Sequence, residues 1–300
     1  MEKRTFLERM SERGTLVLDG ATGTNLQSRG LTKGLPAEVW VLEQPEKIIG
    51  LAQDFVAAGA DIILTCTFGA SSIRLEHTSL NGKGEMVNRR AAELAQRAVE
   101  GTPALVAGSI GPTGQLLKPL GPLDETDAIR SFAEQARYLA DAGVDLLVVE
   151  TQFDLAEAKA ALTGIQMVTN LPVVCSFSFD RGTRTMMGVK PAQVGNEISP
   201  LGVAAIGINC GRSLEDNQKA MIELRDSTSL PIWFKPNAGL PQLDASGNPT
   251  YDISPEAMAA KVPEWISIGA KLIGGCCGTS PDHLAAIAKE VHKSQLFPSR

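Results

Sequence analysis

Short, densely apolar runs alternate along this chain with longer segments whose apolar residues recur every three or four positions. Eight runs stand out: TLVLDG (15–20), DIILTCTFG (61–69), ALVAGSIG (104–111), DLLVVET (145–151), PVVCSFSF (172–179), VAAIGINCG (203–211), PIWFKPN (231–237) and KLIGGCCG (271–278). They are often β-branched and close on polar residues or glycine, which predicts strands. Runs with no polar alternation suit strands covered on both faces.

The intervening segments read as helices. PEKIIGLAQDFVAAGA (45–60) begins on a first-turn proline and reaches Gly59 at its end. DETDAIRSFAEQARYLADAG (124–143) carries acids at its start and glycine at its close. Segments 154–168, 213–227, 254–270 and 280–293 follow the same plan. Pro263 is expected to kink or divide the helix it interrupts. The piece after the fifth strand, 191–201, is short.

Eight strands alternating with helices predict a single-domain (β/α)8 TIM barrel over residues 1–300. An open doubly wound sheet is the runner-up. Residues 1–14 are expected to form a helix capping the barrel bottom, and 294–300 a frayed tail. No linker or charge block marks a second domain.

Composition narrows the function. The net charge of −6 argues against nucleic acid as the main partner. No apolar run is long enough to span a membrane. The charged start MEKRTFLERMSERG lacks the apolar core of a signal peptide, so a cytoplasmic location is expected. Five cysteines, an odd number, do not suggest a disulfide framework there. With only three histidines, a metal site would lean on sulfur.

In such a barrel the chemistry sits at the C-terminal strand ends. Those ends carry Asp19; Thr65, Cys66 and Thr67; Glu150 and Thr151; Ser176 and Ser178; Asn209 and Cys210; Lys235 and Asn237; and Cys276 with Cys277. Cys210, Cys276 and Cys277 come from two strands separated by one neighbour. Three sulfurs leave one position of a tetrahedral zinc ion open, the mark of a catalytic site. Gly274, Gly275 and Gly278 can turn the backbone so that both adjacent sulfurs reach one ion. Packing thiols, an adjacent disulfide and a phosphate-binding loop after the eighth strand are the competing readings.

The motifs DGATGT, TCTFGA, GSIGPTG, VVETQFDLAEAKAAL, GINCG, PNAGLP and GGCCGTSPDH resemble, in order, those of the zinc-dependent homocysteine S-methyltransferases. Within that family they look closest to the homocysteine-binding module of cobalamin-dependent methionine synthase. The resemblance implies zinc on Cys210, Cys276 and Cys277. It implies that Asp19 and Glu150 hold the α-ammonium of homocysteine and that backbone groups near Gly20 and Ala21 face its carboxylate. Asn209 joins the expected substrate contacts. These roles agree with charge logic, since an ammonium seeks carboxylates and a carboxylate suits N–H donors.

Two positions depart from the family pattern or stand out beside it. Cys66 replaces the usual asparagine of TNTF, and Lys235 precedes PNAG. Cys175, inside the fifth strand, reads as core. The implied chemistry is attack of a metal-held homocysteine thiolate on an electrophilic methyl group, giving methionine with no general base. The expected donor is a methyl-corrinoid protein acting in trans, since a single barrel has no room for folate and cobalamin modules. A small sulfonium such as S-methylmethionine is the alternative. A zinc-free lyase or aldolase using Lys235 as a Schiff base, and a non-catalytic carrier, are the competing classes.

Overall fold

The computed structural model describes residues 5–240, 242–243 and 249–296. Eight barrel strands follow the chain: Leu16–Val17, Ile62–Leu64, Leu105–Ile110, Leu146–Gln152, Val173–Phe177, Ala205–Cys210, Ile232–Pro236 and Ala270–Ile273. From the second strand to the eighth, each pairs with the next in parallel. The eighth pairs with the first, Leu16 opposite Leu272. A parallel bridge between Leu18 and Ile62 joins the first strand to the second, and the Asp61 N–H donates to the Val17 carbonyl at 2.7 Å. The ring is therefore closed as a (β/α)8 barrel, which sets aside the open sheet.

Two apolar layers follow from the alternation of side chains across each strand. Leu16, Leu18, Ile62, Leu105, Leu146, Val148, Val174, Trp233 and Leu272 form one buried cluster that fills the barrel. Phe6, from the helix Phe6–Arg13, is buried in that same cluster. Arg9 on this helix donates to the Asp61 carboxylate and to the Pro103 carbonyl. The alternate residues, among them Val17, Ile63, Val106, Val149, Cys175, Ile206 and Phe234, belong to the outer layer under the helices. Trp265 docks its helix there, 5.0 Å from the Phe234 ring and edge-on.

Several boundaries differ from the pattern, each for a local reason. Pro263 divides its segment into two helices, Pro255–Ala259 and Val262–Ile268, and sits in the first turn of the second, where its missing N–H costs nothing. The last helix runs Pro281–Leu296, so residues 294–296 are helical rather than frayed. Gln295 is tied down by donating to the Thr15 carbonyl at 2.7 Å. Residues 297–300 lie outside the described residues. Apart from the fourth, which runs one residue past its expected end, the strand ladders stop short of the expected C-terminal ends, because there the backbone leaves the sheet to build a site. No described helix is long and apolar enough to cross a membrane.

Candidate metal centre and acceptor cleft

The eighth strand shows how two adjacent sulfurs come to share one place. Its ladder ends at Ile273, but the chain stays wedged between its neighbours. Gly274 N–H donates to the Phe234 carbonyl, Gly275 to Asp19 and Cys276 to Pro236. A tight turn then begins, closed by the Thr279 N–H on the Cys276 carbonyl at 3.1 Å. Gly278, the third residue of that turn, has φ of 81°, as a type II turn requires. A Cβ at Gly278 would also lie 2.2 Å from the Tyr251 ring. Breaking the pleat here lets Cys277 face the same way as Cys276.

Cys210 closes the sixth strand in a left-handed conformation, φ 63°, rare for any residue but glycine or asparagine. Its surroundings over-determine that geometry. Asn217 donates to the Cys210 carbonyl, and Asn237 donates to the Gly211 carbonyl at 2.9 Å. The same Asn237 amide lies 3.6 Å from the Cys210 sulfur.

The three sulfurs lie within 4.8 Å of one another, with Cys210 and Cys277 4.0 Å apart. A tetrahedral ion bound to sulfur at about 2.3 Å spaces its ligands about 3.8 Å apart. The donor set therefore fits a soft divalent ion with little movement. The charge argument agrees. A hydrogen bond with Cys276 pulls the Cys210 thiol down, but the bond with Cys277, burial and the charge of Cys277 outweigh it and push it up to about 12. A hydrogen bond with Cys210 likewise lowers Cys277, while Cys276 and burial raise it, again to about 12. Three crowded thiols resist becoming three thiolates until a cation joins them.

The competing readings of this loop fare worse. Cys276 and Cys277 are free thiols, not a disulfide. A phosphate loop needs idle N–H donors, and the three that follow Cys277 are spent. Gly278 N–H donates to Thr24, Thr279 to Cys276 and Ser280 to His283.

Beside the sulfurs opens a cleft of about 750 Å³, bordered also by Glu150, Lys235 and Arg74. Glu150 accepts from the Ser109 hydroxyl at 2.5 Å. Burial raises its carboxyl, and the Lys235 charge and the Ser109 bond oppose that rise only in part. Asp19 stands deeper. Its Oδ1 accepts from Lys235 Nζ at 2.5 Å and its Oδ2 from the Leu64 N–H at 2.7 Å. Gly20 and Ala21 border the cleft, but the Ala21 N–H is engaged by the Thr279 carbonyl at 3.2 Å.

Asn209, expected as a substrate contact, is fully buried beneath the cleft, with its polar atoms on neighbouring strand ends. Its Oδ1 accepts from the Thr151 N–H at 2.8 Å and from Ser176, and its Nδ2 donates to Thr151 Oγ1. The same amide lies 3.9 Å from the Cys276 sulfur. It thus holds the end of the fourth strand, where Thr151 has φ of 60°, against the cysteine loop. Replacing Asn209 by alanine is expected to weaken metal affinity about tenfold, measured by competition with a chelator.

Cys66 is buried at the cleft edge and lies outside the sulfur cluster; burial, then the Glu38 carboxylate, pushes its thiol well up. Cys175 is core, its thiol likewise raised by burial. Burial lowers Lys235, but Asp19 and Glu150 outweigh it, so its amine stays protonated. That is the wrong state for a Schiff-base nucleophile. His283 donates from Nε2 to the Ile253 carbonyl and accepts on Nδ1 from Ser280, a structural role. Tyr251 was not legible as a site residue. It follows a short antiparallel pair of strands, Gln242–Leu243 with Pro249–Thr250, and no local pattern links it to cysteines that it meets only in space.

The homocysteine S-methyltransferase family model matches residues 16–291. Methionine synthase of Mycobacterium leprae is 32% identical over 95% of this chain, which spans only a quarter of that relative's length. The metallated homocysteine methyltransferase MmuM of Escherichia coli superposes with a TM-score of 0.80 at 27% identity, over 94% of this chain and 98% of that one. A dihydrodipicolinate synthase also superposes, at 12% identity and a TM-score of 0.52 over 94% of this chain and 77% of that one, a likeness of fold alone. Matched over nearly its whole length and carrying three converging sulfurs at the barrel mouth, the chain belongs to the homocysteine S-methyltransferase family.

Proposed function

We propose that this chain moves a methyl group onto the thiol of homocysteine, giving methionine. Cys210, Cys276 and Cys277 hold the Zn²⁺, and a methyl-corrinoid protein acting in trans is the donor. One observation carries the reading: three sulfurs converge on the wall of a cleft that Glu150 also borders. When bound, the zinc ion supplies the positive charge that keeps an acceptor thiol ionised at neutral pH.

The chain's own residues do the rest. Glu150 receives the α-ammonium, oriented by Ser109. Asn209 and Asn237 aim their amides at the ligand sulfurs Cys276 and Cys210 and fix the loops that carry them. The acceptor's proton has left before the transfer, so no side chain acts as general base. Sulfur forms its bond to the methyl carbon as the donor–carbon bond breaks, and that electron pair leaves with the donor.

The similarity to methionine synthase supports a corrinoid donor. A donor panel tests it: zinc-loaded protein, homocysteine, and in turn methylcobalamin, methyltetrahydrofolate, S-methylmethionine and betaine, scoring methionine. Methylcobalamin is expected to give methionine and betaine none. Product from S-methylmethionine alone would replace the corrinoid donor by a small sulfonium.

A further inference from the structure

The loop after the fifth strand takes no part in the chemistry of the cleft, yet it rises at the same end of the barrel as the sulfurs. The fifth strand pairs with the sixth, which ends in Cys210. Residues 178–190 are not among those that border the cleft. They fold back on themselves as a pinned hairpin. Arg181 and Arg184 exchange backbone hydrogen bonds at 2.9 and 3.2 Å. Thr185 is fully buried; its N–H donates to the Val189 carbonyl, and its own carbonyl accepts from Gly188.

The face that this hairpin turns to solvent runs against the charge of the chain. Arg181, Arg184 and Lys190 are exposed, and Met186 is 55% exposed. Among the described residues no carboxylate pairs with any of these three cations; Arg184 donates to the Gly188 carbonyl at 3.3 Å. The one acid of the hairpin, Asp180, accepts from the Ser178 hydroxyl instead. The flanking loops carry Asp154, which caps its own helix, and Arg212, followed by Glu215 and Asp216 in a helix first turn. A local excess of positive charge thus stands on a chain whose net charge is −6.

Arginine and methionine are side chains that interfaces favour, and a hairpin pinned before contact loses little freedom on binding. A second copy of the chain does not fit, since a two-fold pair would set these cations against the same cations. An acidic partner does fit. The donor reading above supplies one that must come to this end, because a methyl group on a protein-borne corrinoid reaches the acceptor thiol only when its carrier settles over the mouth. The hairpin can bear a carrier without obstructing the cleft.

Resting on that trans-donor reading, we propose that residues 178–190 are the docking surface of the methyl carrier, which meets Arg181, Arg184, Met186 and Lys190 with an acidic face. The local charge orients the carrier toward the reactive end, while the acidic remainder of the chain repels it elsewhere.

The test uses the zinc-loaded full chain, homocysteine and two donors. One is free methylcobalamin. The other is the corrinoid protein of the cells that make this chain, purified by its cobalamin absorbance and remethylated. The variant Arg181→Glu/Lys190→Glu leaves the Arg184 contact in place. Its KM for the carrier is expected to rise about tenfold or more, with kcat little changed. The wild-type KM should climb with salt, and the variant's should not. With free methylcobalamin the two proteins should not differ.

A carrier KM equal in both proteins overturns the proposal and leaves the donor reading standing. A wild-type KM that is flat in salt overturns it without any variant, which keeps it testable even where the double variant does not fold. Wild-type dimers, seen by sedimentation and lost in the variant, would put a second copy on the hairpin and overturn it too. No methionine from the carrier with the wild type would overturn the donor reading itself, and this inference with it.

Discussion

Replacing Cys276 by serine is expected to remove zinc and methyl transfer together. The sulfur has no stand-in nearby. Among the described residues, Cys210, Cys276 and Cys277 form the cluster of possible ligands, and Cys66 lies outside it. A hydroxyl is a poor ligand for a soft ion and cannot supply the third negative charge. Structural zinc sites carry on the order of 10 kcal/mol of binding free energy, so losing one of three thiolates should weaken binding about a thousandfold or more. Zinc measured by mass spectrometry after dialysis should fall to trace levels, and methionine formation with it. The same holds for Cys210→Ser and Cys277→Ser. The fold should survive, since these residues sit at the barrel mouth above an apolar interior filled by other strands. Full zinc retention in all three variants would overturn the ligand assignment.

Glu150→Gln is the second large effect, and it separates binding from metal. Glutamine keeps the shape and can still accept from Ser109. It removes the charge that the substrate ammonium needs. Breaking one partner of a desolvated charge pair costs about 2–5 kcal/mol, so homocysteine should bind at least about thirtyfold more weakly while zinc stays at its wild-type level. Stability should move the other way. Burial raises the carboxyl of Glu150 in the folded chain above its unfolded value. Such a group stabilises fully at pH below its unfolded pKa and loses that contribution as pH rises through its folded one. Glutamine, neutral at every pH, loses nothing. Thermal unfolding at neutral pH should therefore occur no lower in Glu150→Gln than in wild type, and the two should converge in acid. A clear loss of stability at neutral pH would mean that Glu150 is a structural ion-pair partner.

The barrel was legible because its strands are almost wholly buried on both faces, Lys271 being exposed, and announce themselves as apolar runs. Its C-terminal ends were less so. Thr151 and Cys210 adopt left-handed conformations that no propensity predicts, and asparagine side chains from other elements hold them there. The cysteine trio was readable as three sulfurs at the ends of strands two apart. The division of labour around it was not. Asp19 and Asn209 sit at the expected strand ends, yet their polar atoms are spent on Lys235, Leu64, Thr151 and Ser176. A sequence shows which side chains reach the barrel mouth; it does not show which of them have already found partners. Lys235 is the clearest case, since its pairing joins residues more than two hundred positions apart.

The central claim is that the cysteine trio with its metal holds the acceptor as a thiolate. The most direct measurement is calorimetric titration of homocysteine into zinc-loaded and metal-free protein, repeated in buffers of different ionisation enthalpy to count protons. The account predicts binding that depends on zinc and releases about one proton per thiol bound. Equal binding by the metal-free chain, with no proton released, would contradict it.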